Sequence, residues 1–443
     1  MKRKIRLTIF AHSETAAGGG EVALLELIDA IKAEVDICVI LPRAGQIQRM
    51  LANENVKTEI VDIPWWVRHD VIAVGPRRHA RVTKSLKGLR KHLDTFRPDV
   101  CMTNTSVIPW GAVAARMKGV PHIWYIHEMV DEKSEIKYEP GLDLVTQLID
   151  QLSDKVIANG EYCENTLGND MSQAKIMTIS PILHLGLQNK KMNKPPLLYK
   201  TIRATKEPII LIPARIVDGK GQMDAVKSIK NLHDQQRPTH LVLIGTSEEL
   251  YRKKIEAYAV RNHIDHLIHI LPFVDNPQPY IACADIVLNT SRLESYGRST
   301  LEAMHAGTPV IGANNSATGY IIDDGVNGMK YKTGDDVELT KKIKMVLDDH
   351  TLRKTIGDGG MQYAVRQLKS TQKVLELFPD TLRELVSTTH TPDLALEYIS
   401  EVLDVKADNV RVGENPTVPQ RDTTLFKVKR ITQKIIRRIK RLI

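Results

Sequence analysis

The feature that most constrains the fold is the alternation of short apolar, β-branched runs with longer helical stretches through most of the 443 residues. In the first half these runs are Ile5–Ala11, Val35–Leu41, Thr58–Asp62, Asp99–Asn104, His122–Ile126, Lys155–Ala158 and Lys175–Ser180. Nearly continuous apolar strands separated by helices are typical of a parallel sheet that is buried on both faces. The sequence therefore predicts an α/β fold.

A second series of strands follows a polar stretch that contains Lys190, Lys191, Lys194, Pro195 and Pro196. We interpret this stretch as an interdomain linker. The strands after it are Pro208–Pro213, His240–Ile244, Leu267–Leu271, Asp285–Asn289 and Pro309–Ile311. The predicted organisation is an N-terminal domain over residues 1–194, a second domain over 195–388, a connector over 389–420 and a tail over 421–443.

The composition is that of an ordinary soluble globular protein, with 42% hydrophobic and 26% charged residues. No apolar run approaches the roughly 18 residues that a spanning helix needs. The basic start at Met1 leads into a very short apolar run, which predicts a first strand and not a signal peptide. Four scattered cysteines show no metal-ligand or redox spacing, which favours a reducing compartment.

Two glutamates eight positions apart, Glu294 and Glu302, follow the fourth strand of the second series. Gly297 predicts a turn between them, and a helix is expected to begin near Arg298 or Ser299. Ligands of open α/β sheets bind beyond the carboxyl ends of the strands, so both carboxylates are expected at one crevice. The start of the helix offers N–H groups and a positive dipole end to an anion. Carboxylates that accept from hydroxyls, beside amides that bind phosphate, suit a sugar nucleotide.

A basic loop follows the first strand of the second series, where Arg215 and Lys220 lie five positions apart and Gly221 comes next. An Arg fork and a Lys point charge are side chains that bind diphosphate oxygens. They would also stabilise the negative charge that develops on a departing nucleoside diphosphate. The alternative is a surface loop that binds nothing.

Two features of the first half are less specific. Gly18, Gly19 and Gly20 lie between the first strand and a helix, where glycine lets the backbone approach a ligand closely. Their spacing is not the dinucleotide-binding fingerprint, and a tight turn is the alternative. His127, followed by Glu128, ends the strand His122–Ile126, and a buried structural histidine is the alternative there.

The segment around Glu294 and Glu302 resembles the E-x7-E signature of retaining glycosyltransferases built from two Rossmann-like domains, family four (glycosyl transferases group 1). Matching flanks are Ala284-Asp285, Ser291, Gly297, Glu302-Ala-Met and Gly307-Thr-Pro-Val. The basic loop also matches, except that Ala214 stands where the family usually has glycine. The resemblance covers most of residues 1–388 and implies two Rossmann-like domains that face each other across a cleft, the GT-B fold.

The resemblance implies a role for each site residue. Glu294 would hold the donor sugar, Glu302 the ribose, and Arg215 with Lys220 the diphosphate, while His127 would lie near the reacting carbon. The rest of the implied substrate site is Gly19, Gly20, Tyr296, Gly297, Ser299 and Thr300.

The implied reaction moves a sugar from a nucleotide donor to an acceptor hydroxyl with retained anomeric configuration, as in cell-surface polysaccharide or glycolipid synthesis. It is a metal-independent hexosyl transfer that needs no cofactor besides the nucleotide-sugar donor, and the chain has no Asp-x-Asp motif. The histidines His263, His266 and His269 follow no ligand spacing and are predicted to be structural.

Two other functions remain open at this point. A sugar-nucleotide epimerase has the same two-domain architecture and needs no acceptor. A catalytically silent, membrane-tethered scaffold is the non-enzymatic alternative, although the intact Arg215, Lys220, Glu294 and Glu302 argue against it.

The tail carries most of the net charge of +9, because residues 421–443 contain nine Lys or Arg and a single Asp. At 100° per residue, its apolar side chains from Leu425 to Ile443 fall on one helix face opposite the basic ones, with only Phe426 misplaced. This pattern is typical of a helix in a membrane interface, and packing on the body or on a partner chain is the alternative. We therefore expect a cytoplasmic enzyme on the inner face of the membrane, with a glycan or lipid-linked acceptor and no nucleic-acid partner.

Overall fold

The computed structural model describes residues 3–16, 18–67, 76–132, 134, 136–167, 171–180, 197–388 and 390–393. The chain divides into two compact units. The first unit comprises residues 1–157, 167–177 and 378–443, and the second unit comprises residues 158–166 and 178–377. This grouping puts 158–166 with the second unit and 378–388 with the first, unlike the predicted divisions after residues 194 and 388.

The first sheet has seven strands in the order β3-β2-β1-β4-β5-β6-β7. The pairs β1–β2, β1–β4, β2–β3 and β4–β5 are parallel. Its strands are β1 (Ile5–Phe10), β2 (Val35–Leu41), β3 (Lys57–Ile60), β4 (Val100–Thr103), β5 (His122–Ile126), β6 (Lys155–Ala158) and β7 (Ile176–Thr178). All seven predicted strands are thereby confirmed, with ends that shift by two residues at most.

The second sheet has six strands, all paired in parallel, in the order β10-β9-β8-β11-β12-β13. Its strands are β8 (Ile209–Pro213), β9 (His240–Ile244), β10 (Ile268–Leu271), β11 (Ile286–Asn289), β12 (Val310–Ala313) and β13 (Met329–Tyr331). The five predicted strands are confirmed, and β13 is one that the sequence analysis missed. The charged Lys330 stands in the middle of this strand, so the strand shows no continuous apolar run.

Helices follow nearly every strand. Those before residue 168 are α1 (Gly19–Ile31), α2 (Gln46–Asn53), α3 (Pro76–Phe96), α4 (Trp110–Met117), α5 (Leu142–Leu152) and α6 (Glu161–Leu167). Those after residue 196 are α7 (Leu197–Arg203), α8 (Gln222–Asp234), α9 (Glu249–Arg261), α10 (Gln278–Cys283), α11 (Arg298–His305), α12 (Ser316–Ile321), α13 (Asp336–Asp348) and α14 (His350–Val386). Among the described helices, none is both long and apolar enough to cross a bilayer.

Burial follows position in the sheets. The inner strands β4, β5, β9 and β11 are buried at every residue, because helices cover both faces of each sheet. The edge strands β3 and β10 have no fully buried residue. The order of the strands reverses between β1 and β4 in the first sheet and between β8 and β11 in the second. Such reversals open a crevice at the carboxyl ends of the two strands, where ligands of doubly wound sheets bind.

Candidate functional site

The reversal point of the second sheet brings the predicted Lys220 and Glu294 into contact. Lys220 lies in the loop after β8, and Glu294 lies in the loop after β11. The Lys220 Nζ atom is 2.7 Å from the Glu294 Oε2 atom, and both side chains remain partly exposed, at 28% and 17%. A cation and a carboxylate that come from two different loops thus share one solvent-accessible position beyond the sheet.

The loop that carries Lys220 is held close to the loop after β11. The Thr290 hydroxyl donates to the Lys220 carbonyl at 2.8 Å. Gly221 has a φ of +64°, and a Cβ atom at this residue would lie 2.2 Å from the Thr290 carbonyl oxygen. Glycine is therefore required directly after Lys220, both for its backbone conformation and for the close approach of the two loops.

Glu294 is fixed through its backbone and its side chain. Its N–H donates to the Ser316 hydroxyl at 2.9 Å, and its carbonyl accepts from the Ala317 N–H at 3.0 Å. The Ser291 hydroxyl lies 3.3 Å from Glu294 Oε2 and donates to it. The backbone of Glu294 therefore keeps its position independently of Lys220.

Arg215 lies in the same loop as Lys220, but its side chain is exposed. Its carbonyl accepts from the Gln222 side-chain amide at 2.6 Å, which fixes the backbone at this point. Gln222 is fully buried at the start of α8. A fixed backbone with an exposed guanidinium suits the capture of an anion from solvent.

The helix predicted near Arg298 or Ser299 is confirmed as α11, which begins at Arg298 after Gly297, whose φ is +78°. The Thr300 N–H already donates to the Gly297 carbonyl at 3.0 Å. The Thr300 hydroxyl is buried and accepts from the Asn289 side chain at 3.0 Å. Because the Thr300 N–H already has an acceptor within this turn, it is not the amide that would bind an anion at this helix end.

Glu302 and Tyr296 have close partners of their own. The Glu302 carboxylate lies 2.9 Å from Arg298 Nε, one helical turn away. Tyr296 is buried at 8% exposure, and its ring packs against Gly160, where a Cβ atom would lie 2.7 Å from the ring. The glutamate pairing was not predicted, and it means that a ligand reaching Glu302 meets Arg298 as well.

The reversal point of the first sheet gathers His127 and the glycines of the first loop. His127 is buried at 6% exposure, and its Nε2 atom lies 2.9 Å from the Asn104 Oδ1 atom. The Asn104 amide donates to the Gly20 carbonyl at 3.3 Å, and a Cβ atom on Gly20 would lie 3.2 Å from the His127 ring. Burial lowers the pKa of His127 to about 4, so the imidazole is neutral at physiological pH. Gly19 has nothing within 4 Å of its Cβ position.

Glu128 is half-buried, and both of its carboxylate oxygens bind the loop after β4. Its carboxylate accepts from the Ser106 N–H at 2.8 Å, from the Ser106 hydroxyl at 2.9 Å and from the Thr105 hydroxyl. Burial alone would raise the pKa of Glu128, but the charge of His12 and these hydrogen bonds outweigh it, so the pKa lies below its ordinary value. Glu128 is therefore an ionised group that orients the loop after β4.

His12 and Glu21 form an ion pair that the sequence analysis did not identify. His12 follows β1, Glu21 lies in the first turn of α1, and the His12 Nε2 and Glu21 Oε1 atoms are 3.2 Å apart. Burial opposes the charged form of His12, but Glu21 and Glu128 outweigh burial and raise its pKa above the ordinary value. The signal in the sequence was a histidine directly after a strand and a glutamate directly after the glycines.

Of the four tryptophans, all of which lie in the first unit, only Trp65 is exposed, at 36%. Trp66 and Trp110 are buried, and their indole N–H groups donate to the carbonyls of Ser106 at 2.7 Å and Pro64 at 2.8 Å. The Trp65 ring meets the His12 ring edge-on, with 5.5 Å between centroids. Trp65 therefore extends the polar group of His12 and Glu21 with an apolar face.

A third group of side chains lies away from both reversal points. Cys38, Glu59 and His92 bring their ligand atoms within 4.8 Å of one another, which the scattered sequence positions gave no means to predict. The His92 Nε2 atom lies 2.9 Å from the Thr8 hydroxyl, and Nδ1 lies 3.0 Å from the Glu59 carboxylate. Burial, and then the charge of Glu59, raises the pKa of Cys38 to about 12, so its thiol stays protonated. The arrangement is accounted for by an imidazole–carboxylate contact beside a buried thiol.

Of the three histidines predicted to be structural, His269 contacts another histidine in the second sheet. Its Nε2 atom lies 2.9 Å from His240 Nδ1, and His240 Nε2 lies 2.6 Å from the Glu207 carboxylate. Burial, and then the neighbouring His240, lowers the pKa of His269 to about 4.

Comparison with known proteins identifies the family. The family model for glycosyl transferases group 1 matches residues 197–362, and that for glycosyltransferase family 4 matches residues 17–185. An uncharacterised glycosyltransferase of Methanocaldococcus jannaschii is 27% identical over 58% of this chain and 68% of its own length. The lipopolysaccharide core biosynthesis glycosyltransferase LpsE of Rhizobium meliloti is 24% identical over 36% of this chain, and the match spans only 45% of LpsE.

A solved structure confirms the predicted fold class. The crystal structure of Anabaena HepE in complex with UDP and glucose aligns with a TM-score of 0.70 at 19% identity, over 85% of this chain and all of HepE. At this identity the likeness establishes the fold alone. Because the two family models match successive parts of the chain and together cover more than half of it, the protein belongs to the group 1 glycosyltransferases of the GT-B fold.

Proposed function

We propose that the chain transfers a hexosyl group from a nucleotide sugar to an acceptor hydroxyl with retained anomeric configuration. The observation that carries this proposal is the contact between Lys220 and Glu294 at the reversal point of the second sheet, beside the start of α11. It combines a cation for phosphate, a carboxylate for sugar hydroxyls and helix-start amides for an anion. HepE, which has the same fold, was solved with UDP-glucose, which supports a nucleotide sugar as donor.

The donor is held by side chains of the second unit in this proposal. Lys220 and Arg215 contact the diphosphate, Glu302 accepts from the ribose hydroxyls, and Glu294 accepts from the hydroxyls of the donor sugar. A diphosphate that binds Lys220 competes with Glu294 for the ammonium group, because the Lys220 Nζ and Glu294 Oε2 atoms are 2.7 Å apart. Donor binding therefore releases the Glu294 carboxylate toward the sugar.

The bond from the anomeric carbon to the diphosphate breaks, and its electron pair stays on the diphosphate. Lys220, Arg215 and the first amides of α11 stabilise the charge that develops there. The acceptor oxygen bonds to the anomeric carbon on the same face, and its proton passes to the leaving phosphate oxygen. Because basic side chains neutralise the leaving group, the reaction is proposed to be independent of metal ions. Turnover that survives EDTA would support this part, and turnover that EDTA abolishes and Mg²⁺ restores would contradict it.

The acceptor is proposed to be a glycan or a lipid-linked sugar in the synthesis of a cell-surface polysaccharide or glycolipid. LpsE, to which part of this chain is similar, acts in lipopolysaccharide core biosynthesis. The exposed Trp65 ring next to His12 and Glu21 offers an apolar face and hydroxyl partners, a combination that suits a sugar. Neutral His127 lies at the same reversal point and is proposed to face the reacting carbon.

The experiment that tests the function is incubation with a panel of UDP-, GDP-, ADP- and CDP-sugars, with and without membrane extract. Transfer of labelled sugar into the extract, with release of nucleoside diphosphate, is the expected result. Release of an epimer without acceptor would establish the epimerase instead. No reaction with any sugar nucleotide would favour the silent scaffold.

Membrane attachment is a separate part of the proposal, because the amphipathic tail at 421–443 lies outside the described residues. Each Lys or Arg near an anionic surface contributes up to about 1 kcal/mol, and less as the salt concentration rises. We propose that the tail holds a cytoplasmic enzyme on the inner face of the membrane. The intact chain should float with anionic vesicles, and the chain without residues 421–443 should not, although it still turns over a soluble acceptor. Attachment through the tail would be contradicted if the truncated chain floated with the vesicles, or if the intact chain did not.

A further inference from the structure

A single buried carboxylate, that of Asp224, joins the two loops that carry Lys220 and Glu294. Asp224 lies in the first turn of α8, four residues after Lys220, and is only 3% exposed. Burying a carboxylate is unfavourable unless its oxygens are paired and hydrogen-bonded. The partners of Asp224 therefore determine where the start of this helix can lie.

Each oxygen of Asp224 has its own partners. Oδ1 accepts from the Arg292 guanidinium at 3.3 Å. Oδ2 accepts from the Tyr331 hydroxyl at 3.2 Å and from the Gly334 N–H at 3.0 Å. Arg292 comes two residues before Glu294, and Tyr331 is the last residue of β13. One carboxylate thus connects α8, the Glu294 loop and the turn after β13.

The backbone of Arg292 continues this connection to the Lys220 loop. Its N–H donates to the Gly219 carbonyl at 2.9 Å, one residue before Lys220. Its carbonyl accepts from the Asn315 side chain at 2.6 Å, next to Ser316, which holds Glu294. Arg292 is therefore fixed between the two functional side chains, and Asp224 is the buried anion that holds its guanidinium.

We propose that Asp224 is a positioning residue for the transfer reaction. Through Arg292 it keeps the Lys220 and Glu294 loops at a fixed separation, so that diphosphate and donor sugar are bound in one geometry. The proposal rests on the roles proposed above for Lys220 and Glu294. It assigns Asp224 no contact with the substrate.

Hydrogen exchange in the unliganded full-length chain tests the positioning without any substrate. Asp224→Asn keeps an oxygen that accepts from Tyr331 and Gly334, but it loses the charge that holds Arg292. The matched control is Asp348→Asn, because Asp348 also accepts from an arginine, Arg237, at 2.7 Å, on the surface. Amide exchange at 219–221 and 291–295 should accelerate in Asp224→Asn only. Unchanged exchange in these segments, or an equal increase throughout the second unit, would overturn the proposal.

Kinetics with UDP-glucose, or with the sugar nucleotide that the donor panel selects, provide the second readout. Asp224→Asn should lower kcat by about a hundredfold, as displaced reacting groups do, with a much smaller change in the donor KM. In a Lys220→Ala background the same substitution should lower kcat little further, because Asp224 acts by positioning a side chain that this background already lacks. Losses that multiply in the double variant would show an independent structural role and overturn the proposal. Failure of the proposed function would appear differently, as no turnover of any sugar nucleotide by the unaltered chain.

Discussion

The two reversal points of the molecule hold their charged side chains in different ways. In the second sheet, Lys220 and Glu294 are partly exposed, at 28% and 17%, and face each other directly. In the first sheet, Glu128 is bound by Thr105 and Ser106, and the His127 ring is held by Asn104. A ligand can exchange partners with an accessible pair, whereas both oxygens of Glu128 are already bonded by the protein.

This difference indicates which substitutions affect function and which affect the fold. Opening a partly exposed ion pair changes stability little, because water replaces the lost partner. Removing one member of a buried charged network leaves its partners uncompensated. Substitutions at Lys220 and Glu294 should therefore alter activity and leave stability unchanged. Substitutions among Glu128, Thr105 and Ser106 should lower stability.

The largest expected effect is on stability. Glu128→Ala should lower the free energy of unfolding by about 3 kcal/mol, because the buried hydroxyls of Thr105 and Ser106 lose their acceptor and the charge of His12 loses a compensating carboxylate. Glu294→Ala is the matched change in the second site and should alter it by less than about 1 kcal/mol. Chemical denaturation of both variants measures the difference. Equal losses would remove the distinction between the two regions.

The next effect is on catalysis. Arg215→Ala and Lys220→Ala should each lower turnover by about a hundredfold, by analogy with the loss of one oxyanion donor, because charge grows on the diphosphate as the sugar leaves. Both variants should melt at the temperature of the unaltered chain. Arg237→Ala, a surface arginine paired with Asp348, is the control and should retain full turnover. Nearly normal turnover of both site variants would refute the diphosphate assignment.

A smaller effect separates the two glutamates. Glu302→Ala should weaken the binding of a nucleoside diphosphate by about tenfold, since a hydrogen bond to a charged group contributes about 1.5 kcal/mol. Glu294→Ala should leave that binding nearly unchanged and impair turnover of the whole donor, because its partner is the sugar. Calorimetric titration distinguishes them. Identical effects of the two substitutions on nucleotide binding would contradict the assigned roles.

The smallest effect is a pH dependence of stability in the first unit. The pKa of His127 is lowered by burial from 6.5 to about 4, so the unfolded chain binds the proton more readily, and stability falls as pH drops below about 6.5. Between pH 6.5 and 5.5, His127→Gln should lose about 1 kcal/mol less of its free energy of unfolding than the unaltered chain does. His12 has the opposite sign, because its raised pKa stabilises the fold below about 6.5 and this contribution is lost as pH rises through the raised pKa. Melting curves of His127→Gln and His12→Gln against pH check the two signs.

Most of the fold could be predicted because each buried strand carries its own signal. Val35–Leu41 and His122–Ile126 are apolar except at Asp36 and His122, and both have the predicted bounds. The edge strand Met329–Tyr331 lacks that signal, because Lys330 interrupts it and polar residues flank it.

The site was predictable where its residues lie close together in sequence, and less so where they do not. Glu294, Gly297 and the start of α11 fall within five residues, so their arrangement follows from strand, turn and helix. The pair of His12 with Glu21 and the link from Asp224 to Arg292 join segments that are distant or separately unremarkable in sequence. Such contacts depend on packing between elements, which no local pattern encodes.

The central claim is that the second unit holds the donor nucleotide through Arg215 and Lys220. Calorimetric titration of UDP, GDP, ADP and CDP into the unaltered chain, the Arg215→Ala/Lys220→Ala double variant and His127→Gln tests it most directly. The account predicts that one diphosphate binds the unaltered chain and His127→Gln with similar affinity and binds the double variant at least a hundredfold more weakly. Equal binding by the double variant, or no binding of any diphosphate to the unaltered chain, would contradict it.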